Sequence, residues 1–210
     1  MLRGMKKPAP SLRERKKTRT RHHLIEAARR LFLKKGFEGT TVDEIAQAAD
    51  VSQRTFFRYF PTKEAVVFSQ HDDRIERLRT LLRRSDVPVG YAAVRQAVLE
   101  FAAWYAAGRE ELLDEYRIVM SSPLLVARDV ELDTEYEAAI AEALGDADGA
   151  EPVTRRRARL VAGALFGTIR ATLQEWFAGG CTDDLLSLGS EGLTLVDRGL
   201  AHLDEPSPRA

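Results

Sequence analysis

The sequence predicts an all-α protein of about nine helices: an N-terminal three-helix head holding a helix-turn-helix, and a larger helical C-terminal domain. Three observations lead there. Val and Ile fall mainly at helical spacing, and no alternating β pattern appears. With 210 residues, 44% of them hydrophobic, the chain can bury a core as one domain or two small ones. Residues 40–64, TTVDEIAQAADVSQRTFFRYFPTKE, hold two short helical patterns around a tight turn.

Residues 1–12 carry Gly4, Pro8 and Pro10 with little apolar content, and read as a flexible basic arm. Its cationic continuation, Arg13, Arg15, Lys16, Lys17, Arg19 and Arg21, runs into the first helix. Such runs are commonly solvated tails, but beside a helix-turn-helix they suit phosphate tracking or minor-groove contact, with Lys17 and Arg19 as candidates. The first helix sets Leu24, Ile25, Ala28, Leu31 and Phe32 on its inner face and ends at Gly36, a natural left-handed cap. Thr41 and Glu44 have capping-box spacing, and Val42, Ile45, Ala46 and Ala49 form one face of a short second helix. Asp50-Val51 makes the turn, Ser52 caps a third helix, and Phe60-Pro61 ends it.

In a helix-turn-helix the second helix of the motif normally enters the major groove. Phe56 and Phe60 are spaced to pack inward with Leu24, Ala28, Leu31, Phe32, Phe37 and Ile45. Ser52, Gln53, Arg54, Thr55, Phe57, Arg58 and Tyr59 include the outward groups. Gln53, Arg54 and Arg58 are the candidate base readers, because Arg pairs bidentately with guanine and Gln with adenine. Thr41, Thr55, Tyr59 and Lys63 are the candidate phosphate contacts.

These residues resemble the N-terminal domain of TetR-type bacterial transcriptional regulators. The resemblance covers residues 18–68 and rests on Gly36-Phe37, Thr40-Thr41, Ile45-Ala46, Ala49, Val51-Ser52, Thr55, Phe60 and Lys63-Glu64, which match in order and spacing. The chain departs from the usual pattern at Arg54, where glycine is common, and at Arg58-Tyr59, where Tyr-His is common. These departures bear on the operator and leave the fold alone. The resemblance implies a bacterial regulator in the cytoplasm, associated with the nucleoid, that binds a double-stranded DNA operator as a homodimer and answers to a small-molecule effector.

Charge is divided along the chain. Its first 60 residues hold 15 Lys and Arg against 6 Asp and Glu, while the whole chain balances 32 against 32. A basic head beside an acidic remainder suits a protein that offers one end to a polyanion. No apolar run reaches the roughly 20 residues that span a bilayer, and the basic start lacks the apolar stretch of a secretory signal. One cysteine, Cys181, leaves no internal disulfide and fits a reducing compartment.

The head is therefore expected over 13–68 and a ligand-binding and dimerisation domain over 69–204, with 205–210 as a disordered tail. Thr62 is expected to cap a fourth helix that runs unbroken to about Arg84 and passes from one domain to the next. Ser85-Asp86-Val87-Pro88 breaks the pattern. Further helices follow over 89–107, 109–121, 123–144, 152–178 and 182–203, with a polar loop at 145–149. Phe101, Trp104, Tyr105, Tyr116, Met120 and Phe166, with the cations Arg117 and Arg170, are candidate pocket residues, and the arginines suggest an anionic or acyl ligand. Aromatics at this spacing are more often core. The last two helices are apolar on more than one stripe, so Leu165, Ile169, Leu173, Trp176, Leu188 and Leu195 are candidates for a two-chain four-helix bundle.

An enzyme is the main rival reading. Asp72-Asp73 beside His71, and Asp183-Asp184, are the carboxylate clusters that invite it, but neighbours on a helix diverge by about 100°. The histidines show no metal-ligand spacing and no phosphate-cradling glycine loop occurs, so neither catalytic residue, metal nor cofactor is expected. A constitutive regulator or an architectural DNA-binding protein, neither with an effector, is the other alternative. Retained preference for an operator over random DNA separates a regulator from an architectural protein.

Overall fold

A computed structural model of the chain describes residues 11–84, 90–145 and 151–199. The tail at 205–210, the break at 85–88, most of the polar loop and nearly all of the N-terminal arm lie outside the described residues. Within them the chain forms ten α-helices and no strand. It divides into two compact units, Met1–Ser69 with Arg117–Ser122, and Gln70–Tyr116 with Pro123–Ala210.

The first unit contains α1 (Leu12–Lys35), α2 (Val42–Ala48), α3 (Gln53–Tyr59) and α4 (Glu64–Val67). Ser11 starts α1 with a full capping box: its hydroxyl accepts from the Glu14 amide at 3.2 Å, and Glu14 accepts from the Ser11 amide at 2.6 Å. The cationic run from Arg13 onward is therefore helical. Gly36 closes α1 at φ 81°, where a side chain would be strained. α2 packs on α1 and α3, and α4 returns to α1. Leu24, Ala28, Ile45 and Phe56 are fully buried, and Phe32, Phe37 and Phe60 nearly so. Ring contacts Phe32–Phe37 at 5.2 Å and Phe56–Phe60 at 5.9 Å supply much of this small core.

The expected continuous fourth helix is two helices. α4 stops at Val67, and α5 (His71–Leu82) begins after an interval of three residues. The Phe68 amide still bonds to Glu64 O at 3.3 Å, but the Ser69 amide reaches only to Val66 O, a tighter turn that ends the helical ladder. α5 restarts where Gln70 O accepts the Arg74 amide at 3.0 Å. Its first turn is fixed by buried Arg74, which pairs with Glu115, and by buried His71, whose ring meets Tyr136 edge-on at 5.4 Å. The apolar spacing runs on through this junction, so pattern alone does not reveal the break.

The second unit adds α6 (Tyr91–Ala106), α7 (Arg109–Met120), α8 (Pro123–Ala143), α9 (Pro152–Ala178) and α10 (Leu185–Arg198); the last residues of α7 group with the first unit. α9 packs on α8 and α10, α6 on α5 and α10, and α5 on α8. One core cluster joins Val94 and Val98 of α6, Ile140 of α8, Ala162 and Leu165 of α9, and Leu193 of α10. A second joins Leu112, Trp176, Cys181 and Leu185. Leu165 and Trp176 therefore fill the chain's own core, each 1% exposed, and are not available to a partner's surface as the sequence reading had them. Trp176 is further tied down by its indole N–H, which donates to Asp183 O at 3.0 Å.

Gly192 lets α10 approach α9. A Cβ there would meet Thr168 Cγ2 at 2.9 Å and Thr172 Oγ1 at 3.1 Å. Asp184 begins α10 as its N-cap, accepting from the Leu186 and Ser187 amides at 3.4 and 3.2 Å. The Asp183-Asp184 pair thus has a structural use at each residue.

Candidate nucleic-acid interface

The head presents a short helix on a rigid turn. Thr41 opens α2 by accepting from the Glu44 amide at 3.3 Å while Glu44 Oε2 accepts the Thr41 amide at 2.9 Å. A hydrogen bond from Lys35, with that from Thr41, holds the Glu44 carboxyl down at about 2, so the box persists through the neutral range. Asp50 turns the chain at φ 53°, a conformation that Asp tolerates better than most residues. The Val51 amide closes the turn onto Ala46 O at 3.0 Å. Ser52 then caps α3, accepting from the Thr55 amide at 3.1 Å.

Buried Phe56 and Phe60 fix the rotation of α3, so Gln53, Arg54, Phe57 and Arg58 are exposed together on its outer side. Gln53 Nε2 donates to Asp43 Oδ1 at 3.0 Å, which ties the amide across the turn to α2. Arg58 lies over the Tyr59 ring at 5.3 Å, and Phe57 is 51% exposed, a large apolar face left to solvent. Ser52 and Thr55 share a hydroxyl contact of 3.0 Å. Lys17 and Arg19 are exposed on the early turns of α1.

Lys63 requires a correction. Its ammonium turns inward, donating to Phe37 O at 2.9 Å and Thr40 O at 3.3 Å above the Phe37 ring at 4.1 Å. Two of its three donors are spent holding the loop between α1 and α2, so it serves the head's architecture first. Arg21, expected only as part of the cationic run, donates to Ser69 O at 2.5 Å and lies over Phe60 at 5.4 Å, and the buried Ser122 hydroxyl, unnoticed in the sequence, donates to Glu38 at 2.8 Å. Neither pair has a local sequence signal, since the partners lie 48 and 84 residues apart.

In the second unit the candidate pocket residues separate. Phe101, Tyr105 and Phe166 are brought together around Tyr136: Phe101 stacks on Tyr105 at 5.9 Å, and Tyr136 lies 6.3 Å from Phe101 and 6.4 Å from Phe166. Trp104 is 41% exposed, although its ring touches Phe101 at 5.5 Å. Tyr116 stacks on Phe177 at 4.5 Å, beside the Trp176 core rather than in this group. Arg117 and Met120 are exposed and group with the head. The buried cation of the aromatic group is Arg74, which sequence reasoning passed over. It makes two bonds of 2.6 Å to Glu115 and lies over Tyr105 at 5.4 Å. Burial disfavours its charge, but Glu115 outweighs that cost and keeps the guanidinium protonated. A surface hollow of about 400 Å³ on α9 is lined by Pro152, Arg155, Arg156, Arg159 and Leu160, and by none of these aromatics.

Among the described residues no group of three His, Cys, Asp or Glu side chains could hold a metal ion, and no helix is long and apolar enough to cross a membrane.

A capped helix-turn-helix joined to a separate helical unit defines a one-component transcription regulator as the class. Residues 24–69 match the family model described as bacterial regulatory proteins, tetR family, and residues 90–201 match the MftR C-terminal domain. The regulator TcmR of Streptomyces glaucescens is 31% identical over 87% of this chain and 84% of its own. The proposed mycofactocin biosynthesis regulator MftR of Mycobacterium tuberculosis is 26% identical over 91% of this chain and 96% of its own. The FadR repressor of Thermus thermophilus, solved in complex with lauroyl-CoA, superimposes with a TM-score of 0.57 at 27% identity, covering 90% of this chain and all of that one. The chain belongs to the TetR family of transcriptional regulators.

Proposed function

We propose that the protein is a homodimeric repressor that holds a palindromic operator with two recognition helices and leaves it when the second unit takes up a small-molecule effector. The observation that carries this reading is the exposed side of α3, where Gln53, Arg54 and Arg58 stand on a helix anchored by two buried phenylalanines. Two such helices, about 34 Å apart, match successive major grooves. The exposed cations early in α1 add contacts to phosphate. A relative named as a repressor and solved with lauroyl-CoA supports both repression and effector binding. Coupling of about 1–3 kcal/mol between the two sites changes operator affinity by about 5–150-fold, sufficient for a switch.

The test is direct binding to an operator selected from random duplexes. Arg54→Ala and Arg58→Ala each lower operator affinity by about 1–3 kcal/mol, roughly tenfold or more, and reduce the preference over random DNA. Removing Lys17 instead weakens all sequences alike and flattens the salt dependence. If both arginine variants bind as tightly as the parent, α3 does not read the operator.

A further inference from the structure

We propose that Asp43, in the first turn of α2, is a positioning residue for base recognition: it orients the Gln53 amide so that α3 accepts adenine and refuses guanine at one operator position. This rests on the reading that α3 enters the major groove.

Asp43 and Gln53 lie on different helices of the motif, both exposed, and Gln53 Nε2 donates to Asp43 Oδ1 at 3.0 Å. An ionised carboxylate can only accept, so the nitrogen end of the amide must face Asp43. Of the two N–H groups on Nε2, one is then spent. What remains for a base is one N–H and the Oε1 acceptor. Adenine shows the major groove one donor, N6–H, and one acceptor, N7, which this remainder matches. Guanine shows two acceptors, N7 and O6; the single N–H satisfies one of them, and Oε1 opposes the other. A glutamine without this anchor is free to turn its NH₂ group toward the guanine acceptors. The carboxylate therefore makes a permissive side chain selective.

Bracing the turn does not account for the contact. The Val51 amide already closes the turn onto Ala46 O at 3.0 Å, Thr41 and Ser52 cap the two helices, and Ile45 and Phe56 are fully buried beneath them. An exposed side-chain bond adds little to such a frame. The contact also carries a cost. Its partner is a groove-facing residue, so Asp43 sets a negative charge near DNA in a head whose first 60 residues hold 15 Lys and Arg against 6 Asp and Glu. A carboxylate there repels phosphate and weakens binding to every sequence alike. A group that lowers general affinity while restricting a base reader serves discrimination rather than strength.

The experiment uses the full-length protein and an operator selected from random duplexes. Each A·T pair of the half-site is replaced in turn by G·C, and Gln53→Ala identifies the position where the preference for adenine depends on Gln53. There the parent prefers adenine to guanine by about tenfold, the scale of one bidentate pair. Asp43→Ala lowers this ratio to about twofold, the amide being free to turn. Its affinity for random duplex rises by about two- to threefold at low salt, because a charge that repels phosphate is gone. In a Gln53→Ala background, Asp43→Ala leaves the base ratio unchanged, since its effect passes through the glutamine. Each ratio compares two duplexes on one protein sample, so partial unfolding of a variant cancels. A parental ratio in Asp43→Ala, or no position whose preference Gln53→Ala removes, overturns the role of Asp43. A lower ratio with weaker binding to random duplex marks a loosened turn and overturns it as well. In each case α3 remains the reading helix if Arg54→Ala or Arg58→Ala weakens operator binding; if those variants also bind like the parent, the operator reading falls too.

Discussion

Asp133 has opposite consequences for stability below and above its titration. Its carboxyl is raised to about 6, chiefly by burial, from an ordinary value of 3.8. Between those two values the native state binds more protons than the unfolded one, so the stability contributed by the acid form is lost as pH rises through about 6. The group is only partly buried, so solvent screening leaves a cost of about 1 kcal/mol at neutral pH. Asp133→Asn should therefore raise Tm by about 2–4 °C at pH 7.5 and have almost no effect at pH 3.5. Calorimetry at both pH values checks this, and equal shifts at the two would place the carboxyl in solvent. At this scale the sequence was legible where a residue's role is local. Thr41, Ser52, Phe56 and Phe60 do what capping spacing and helical period require. Lys63, Arg74 and Asp133 were not legible, because their partners lie far along the chain or belong to another helix.

Among the elements, α5 is set by contacts that lie outside it. Periodicity carries the fourth helical pattern through Phe68, Ser69 and Gln70 without a glycine or proline to mark an end. The break arises because Arg74 is anchored to Glu115 of α7 and His71 is buried near α8. The anchor makes a distinct energetic prediction. Arg74→Met leaves the Glu115 carboxylate largely buried without its partner and should cost about 3–5 kcal/mol. Arg74→Met with Glu115→Leu removes both charges and should recover most of that loss. Urea unfolding of the two variants separates this from a packing effect, since a double variant no better than the single one would mean that the stem of Arg74, not its charge, holds α5.

For the whole molecule, the division between core and outer surface decides where a second copy can bind. Leu165 and Trp176 are consumed by the core, which removes two of the residues first expected at a dimer face. The remaining apolar surface on the last two helices is different: Val153 and Leu160 of α9 are each 70% exposed, and Leu186 and Leu195 of α10 are 38% and 40% exposed. Gly167 and Ala164 lie on the same length of α9, and a Cβ on Gly167 would meet nothing within 4 Å, so the helix surface there is low enough for another helix to approach. The sequence displayed the excess of apolar positions but not which of them the chain would cover itself, because that depends on how α9 is rotated against α8 and α10. If this face pairs two chains, Leu160→Glu places two charges in one interface. Sedimentation at micromolar concentration should then show a monomer in place of the parent's dimer. Because Leu160 contributes little to the chain's own core, the Tm of the separated chain should fall only as far as the loss of dimerisation requires, and should no longer depend on protein concentration. Operator affinity should drop far more than either half-site contact accounts for, since one head can no longer raise the effective concentration of the other. A Leu160→Glu protein that still sediments as a dimer and binds the operator like the parent would move the interface off α9.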